Sequence, residues 1–398
     1  MNAEKHDLEF TRTFHVPPEE VYYAFTQAAA WQQWCCDLAE TDPRPDGYLF
    51  ICTEGYCACG TYTELEENRR VAFTWHGVDE PPTLVEVTLE AKGSGTQMTF
   101  GVTNQGTAEA WAEKASVFEK AWGHALENLQ AVLETGSGLQ RRPILGVMGG
   151  QDLTPEAAAE LDVPVQGGFQ IFEPLEGMGA AAAGLQKDDV IVEIDGTPLL
   201  TAAALGPVMD KHQPGDKVGI VFYHGSERKT ATLELSARPL PEVPPTAQAM
   251  VDTLCDIYTQ QTATLTEFLA DVPESRLTWT PDAIKWSVKH VIAHLLTTER
   301  AVHAWLARLQ FGMDTINWGS HDETWVRAIA DSYPTTAALL EALQQAQTET
   351  LNIVATLPEA FVAHKGTYTR VGTILTQGLP YHTGIHFDQI RRALAEAQ

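Results

Sequence analysis

The sequence predicts a multidomain α+β chain in three parts. These are an antiparallel sheet closed by helices, a small β module of sandwich or barrel type, and an all-α four-helix bundle. Three observations lead there. The 398 residues exceed what one core ordinarily holds. Two stretches have linker composition: Thr135–Arg142 is small and polar, and Arg238–Pro245 is proline-rich. The apolar spacing also changes along the chain, from strand-like alternation before the second linker to helical spacing throughout from Ala247 onward. The expected modules are therefore 1–136, 141–238 and 246–398.

Composition narrows the partners. Against 26 Lys+Arg stand 53 Asp+Glu, a formal charge of −27 that repels phosphate backbones and anionic lipid, so neither nucleic acid nor a membrane surface is expected as a partner. The first residues have no apolar core of a signal peptide, and no run approaches the roughly 18 apolar residues needed to span a bilayer. The expected location is cytoplasmic, with Cys35, Cys36, Cys52, Cys57, Cys59 and Cys255 as reduced, mostly buried thiols.

In the first module, Pro18 suits a first helical turn and Glu19 and Glu20 favour the positive end of the helix dipole. Strand-like stretches follow at 48–53, 60–65, 71–76, 84–91 and 96–103. A closing helix over about 108–134 carries Phe118, Trp122, Leu126, Leu129 and Leu133 at helical spacing. Val16-Pro-Pro-Glu-Glu-Val21, Trp31-Gln-Gln-Trp34, Gly60-Thr-Tyr-Thr-Glu-Leu65, Phe73-Thr-Trp75 and Trp122-Gly-His-Ala-Leu-Glu-Asn-Leu129 resemble START-like (SRPBCC) proteins grouped with activators of the ninety-kilodalton heat-shock chaperone ATPase. The resemblance implies a helix-grip fold and a cavity for a small apolar ligand. Trp31, Trp34 and Trp75 line that cavity in one reading and pack as core and rim in the other.

In the second module, Thr154 and Pro155 open a short helix, and a further helix is expected near 201–212, between the apolar run 189–196 and two final strands at 218–223 and 229–235. The run Ala181-Ala-Ala-Gly-Leu-Gln-Lys-Asp-Asp-Val-Ile-Val-Glu-Ile-Asp-Gly196 resembles the PDZ domains of bacterial HtrA-type proteases. Such domains take a peptide or protein C-terminus as an added strand. The resemblance implies a carboxylate loop at Gly167, Gly168 and Phe169, with Ile171, Leu205 and Val208 around the side-chain pocket. No Gly-x-Ser-x-Gly accompanies the module.

In the third module, apolar stripes recur in four helices: Val251, Leu254, Tyr258, Leu265 and Phe268; Val288, Ile292, Leu295, Val302 and Leu306; Leu340, Leu343, Leu351 and Val354; and Ile385, Ile390 and Leu394. His382 and His386 stand four apart and share a helix face, while His294 falls on the apolar side of the second helix. Imidazoles that converge in an apolar interior suit a divalent transition metal; satisfied core or surface histidines are the other reading. Pro380 is expected to start or kink the last helix. His290 is expected to face solvent, and Asp388 or Gln389 to support a ligand.

Trp286-Ser-Val-Lys289, His294-Leu295 and Tyr381-His-Thr-Gly-Ile-His-Phe-Asp-Gln-Ile390 resemble the DinB superfamily. The resemblance makes His294, His382 and His386 a triad for zinc, nickel, iron or manganese, with a low-molecular-weight thiol as co-substrate, and is compatible with a homodimer. The first expectation for function is a stress or detoxification protein with a metal-dependent thiol transferase bundle. No catalytic base stands out. The alternative is a non-enzymatic, chaperone-associated adaptor that binds client C-termini.

Overall fold

A computed structural model describes residues 6–53, 55–139, 143–280, 285–314 and 323–397. The chain forms two compact units, one from the residues up to Gly138 together with those from Pro241 onward, the other from Leu139–Leu240. The expected linker Thr135–Arg142 runs partly outside the described residues.

The first unit begins with β1 (Leu8–Phe14), α1 (Pro18–Thr26) and α2 (Ala28–Trp34). Then come β2 (Leu38–Thr41), β3 (Tyr48–Thr53), β4 (Tyr56–Glu66), β5 (Arg70–Gly77), β6 (Thr83–Lys92), β7 (Gly95–Asn104) and α3 (Ala108–Thr135). The strands make one seven-stranded antiparallel sheet in the order β1-β7-β6-β5-β4-β3-β2. Thr107 caps α3 by accepting from the Ala110 N–H, and Gly136 ends it in the left-handed conformation, φ 81°. Phe118, Trp122, Leu126 and Leu129 then face the sheet and complete its core.

One expectation about this region is overturned. Cys52 and Cys57, opposite each other on β3 and β4, form a disulfide. Of the other cysteines Cys36 is buried, Cys35 is half-buried, and Cys59 and Cys255 are exposed. Alternation along a strand could not reveal the pairing, because the partner is set by the hairpin register.

The second unit contains β8 (Gly150–Asp152), α4 (Pro155–Glu160), β9 (Phe169–Ile171), α5 (Gly179–Ala182), β10 (Val190–Ile194), β11 (Thr197–Pro198), α6 (Leu205–Met209), β12 (Lys217–His224) and β13 (Glu227–Glu234). The sheet order is β13-β12-β10-β9-β8, with β11 against β10. Thr154 caps α4, and Asp188 takes a left-handed turn, φ 65°. The helix expected over 201–212 is shorter, a 3-10 turn at Ala202–Ala204 followed by α6.

The chain then returns to the first unit with α7 (Ala247–Leu269), α8 (Glu274–Leu277), α9 (Val288–Leu309), α10 (Glu323–Asp331), α11 (Thr336–Ala355), α12 (Glu359–Ala363), α13 (Lys365–Thr373) and α14 (Leu379–Glu396). Helices α7, α9, α11 and α14 are the bundle. Three of these helices start on capping side chains. Thr246 and Thr335 cap α7 and α11, while Ser287 and His290 form a reciprocal capping box on α9. His290 is therefore half-buried and bonded, not simply solvent-facing, and burial lowers its pKa.

The last helix starts earlier than Pro380. A π-helical turn at Ile374–Gly378 joins α13 to α14 without a break in helical backbone. The proline lacks an N–H and crowds the preceding turn, and a widened π turn immediately before it accommodates both effects. Ile385 points outward, 48% exposed, while His386 and Ile390 point inward.

The bundle packs against the sheet region through α13. Gly366 sits where a Cβ would come within 2.6 Å of Val132 Cγ1 on α3. His364 stacks on Tyr23 with ring centres 3.6 Å apart, and its Nδ1 lies 2.9 Å from Glu20 Oε2. The Ala29 N–H donates to Gly312 O at 2.7 Å. Among the described residues no helix is long and apolar enough to cross a membrane.

Candidate metal centre

His294 lies in the middle of α9, and His382 and His386 lie one turn apart on α14. The helical register turns all three rings into the same part of the bundle, with His294 3% and His386 9% exposed. Nε2 of His382 is 3.1 Å from Nε2 of His294 and 3.1 Å from Nε2 of His386. One ring nitrogen from each residue fits within a 4.8 Å cluster. Three nitrogens at a metal–nitrogen distance of roughly 2.0–2.1 Å, with angles between octahedral and tetrahedral, stand roughly 2.9–3.4 Å apart. Both separations from His382 fall in that range and the third pair lies within 4.8 Å, so the donor set is compatible with one first-row divalent ion.

The surroundings orient the ligands. Gln389, one turn beyond His386, places Oε1 2.8 Å from His386 Nδ1. An amide oxygen only accepts, so Nδ1 carries the proton and Nε2 keeps its lone pair for the centre. Of the two residues offered by the sequence as supports, Gln389 takes this role. Asp388 instead pairs with Arg391 on the surface. The Trp286 ring lies 5.1 Å from that of His294 and stacks at 6.5 Å on that of His386, closing one side of the triad with an apolar wall.

Next to the triad the bundle interior sets polar side chains among apolar ones such as Leu265, Leu295 and Leu343. His382, Thr383, Tyr258, Gln261, Glu299 and Gln347 border a cavity of about 20 Å³. Tyr258 donates to Glu299 Oε1 at 2.7 Å, and Thr350 donates to the same oxygen at 2.5 Å. Burial pushes the Glu299 carboxyl and the Tyr258 hydroxyl up from their ordinary values. Sequence reasoning missed Glu299. Its signal was register: it stands four residues after Leu295 and three before Val302, on the buried face of α9.

The aromatic residues singled out in the sheet region do come together, as packed core. Trp31 and Trp34 stack at 4.6 Å, Trp31 and Trp75 stand 6.4 Å apart, and Trp75 meets Trp122 at 4.9 Å. Their N–H groups donate to Phe25 O, Ala24 O and the Tyr56 hydroxyl. The interior they bound is filled by rings, which favours the packing reading over an apolar-ligand cavity.

In the second unit, the expected carboxylate loop is already committed. The Gly168 N–H donates to Leu200 O and its carbonyl accepts from Leu153. Phe169 and Ile171 lie in β9, which is paired on both edges, with β8 and β10, so no strand can be added there. Val208 is buried in the core. The open cleft, about 500 Å³, is lined instead by Ile144, Val147, Leu175, Met178, Leu205 and Met209. Leu205 is thus the one residue shared with the sequence expectation. Among the described residues the backbone N–H groups of Gly146 and Val147, at one end of this cleft, have no acceptor.

Comparison with known proteins accounts for all three regions. Residues 15–134 match the family model of the Activator of Hsp90 ATPase homolog 1-like protein, residues 150–235 that of the PDZ domain, and residues 257–390 that of the DinB superfamily. Serine protease Do-like HtrA of Lactococcus lactis subsp. cremoris is 30% identical over 113 residues, which are 27% of this chain and 28% of that protein. The periplasmic pH-dependent serine endoprotease DegQ of Escherichia coli is 33% identical over 78 residues, 20% of this chain and 17% of that protein. The chain thus spans less than a third of either protease. The solution structure of the Aha1 dimer from Colwellia psychrerythraea covers 33% of this chain and 98% of its own, at 18% identity and a TM-score of 0.30.

Proposed function

We propose that the DinB bundle is a metal-dependent transferase that uses a small thiol as its nucleophile. His294, His382 and His386 would hold zinc, nickel, iron or manganese. The convergence of their Nε2 atoms at metal-ligand separations carries this reading. Such an ion lowers the pKa of a bound thiol and so supplies a thiolate near neutral pH. The protein's own part is to present three neutral imidazoles. Gln389 holds His386 in the required tautomer, and Trp286 excludes water from one side. In the transfer, the thiol proton leaves, sulfur bonds to the electrophilic carbon, and the leaving group departs with that carbon's electron pair. A detoxification role fits this chemistry.

The test is elemental analysis of untagged full-length protein beside His382→Ala/His386→Ala. One equivalent of metal in the wild type and none in the variant is expected. A protein that takes up no metal on reconstitution would remove the proposal.

The open cleft of the PDZ domain favours a second activity, capture of a peptide C-terminus. The free N–H groups of Gly146 and Val147 suit a terminal carboxylate, and the apolar walls suit its last side chains. Anisotropy titrations with a peptide ending in apolar residues should show binding that C-terminal amidation abolishes. Equal binding of both forms rules the carboxylate site out.

A further inference from the structure

The polar layer beside the triad has a feature that metal binding does not use. Four helices each contribute polar side chains to it: Tyr258 and Gln261 from α7, Glu299 from α9, Gln347 from α11, and His382 and Thr383 from α14. The cavity they border, about 20 Å³, suits one water-sized group. Glu299 is the sole carboxylate on its wall, is 6% exposed, and has no Lys or Arg partner among the described residues.

Its hydrogen bonds come from the neutral hydroxyls of Tyr258 and Thr350, and both fall on Oε1. The titratable groups facing it are Tyr258, His382 across the cavity, and His303, whose Nε2 lies 2.9 Å from Thr350 Oγ1. A buried carboxylate compensated by two hydroxyls alone costs stability that an apolar residue would not. A cation arriving in the cavity would offset that cost, and an ammonium group has the size of a water molecule.

We propose that Glu299 binds a primary ammonium group of the nucleophile, so that the bundle's thiol substrate is an aminothiol. This rests on the reading of the triad as a thiol-activating metal site. Glu299 touches the part of the molecule that identifies it, and the histidines face the part that reacts.

Full-length protein loaded with cobalt(II) is titrated with cysteamine and with 2-mercaptoethanol, which carries a hydroxyl in place of the ammonium. Thiolate binding is followed by the cobalt absorption. Wild type should bind cysteamine about 10–100-fold more tightly, the worth of one hydrogen bond between charged groups. In Glu299→Gln the two thiols should bind equally, with 2-mercaptoethanol affinity unchanged. A cysteamine preference absent from wild type, or retained in the variant, overturns the inference while the thiol reading stands.

If neither thiol perturbs the cobalt spectrum, the thiol reading fails. The ammonium site is then decided by methylammonium chloride against sodium chloride: a rise in Tm for wild type but not Glu299→Gln supports it, and no rise overturns it. Should Glu299→Gln not fold, Glu299→Met, which keeps the volume and removes the charge, takes its place with the same outcomes: a lost cysteamine preference supports the site and a retained one overturns it.

Discussion

The sheet region and the helical bundle bury interiors of opposite character. Beneath the sheet, Trp31, Trp34, Trp75 and Trp122 fill the space with rings, and the N–H groups of the first three are bonded nearby. In the bundle, three imidazoles, a carboxylate, two amides and a phenol occupy positions that Leu and Ile hold elsewhere on the same helices. The first arrangement gains stability from burial, and the second gives some of it up. A polar interior retained against that cost is the better place to look for chemistry.

Substitution should separate the two interiors. The largest effect is expected for Trp31→Ala, which removes a fully buried ring and should destabilise the protein by about 3–5 kcal/mol in chemical denaturation. His382→Ala, in metal-free protein, should cost far less by the same measurement; a loss as large as that of Trp31→Ala would erase the contrast. Gln389→Ala comes next. It leaves all three ligands but frees the His386 ring, and should weaken metal affinity about 10–100-fold in a competition titration with a chelator.

The smallest effect is pH-dependent and belongs to Glu299. Burial raises its pKa in the folded state, so the folded protein binds this proton more tightly than the unfolded chain does. The corresponding stability is complete below the ordinary glutamate range and is lost as pH rises through the folded value. Glu299→Gln should remove that component, so metal-free variant and wild type should diverge in the variant's favour as pH rises across this window. Parallel stability curves would mean that Glu299 titrates normally.

Much of this was legible beforehand because it depends on local spacing. Thr154 and Pro155 were read as a helix start and begin α4, and the closing helix expected over 108–134 is α3. The triad was legible because a four-residue spacing puts His382 and His386 on one face, and the resemblance supplied His294. What failed depended on register and neighbours. The Gly167–Ile171 segment reads as a free strand and loop, but both edges of β9 are taken by β8 and β10. Ile385 reads as core, yet it stands one residue before His386 on α14 and so on another face from the inward His386 and Ile390, and it is exposed.

By itself, then, the sequence determined most element types, the helix start at Thr154, the resemblance of each segment to its family, and the residues that could ligate a metal. These follow from backbone propensity, capping and periodicity, which act over a few residues. Only the tertiary structure decided that Cys52 meets Cys57, that the first and last segments share one compact unit, that Gln389 orients His386, and that Glu299 lies beside the triad. Each of these joins groups through pairing register or helix packing, and such distances are set by how the whole interior fills, which no local pattern encodes.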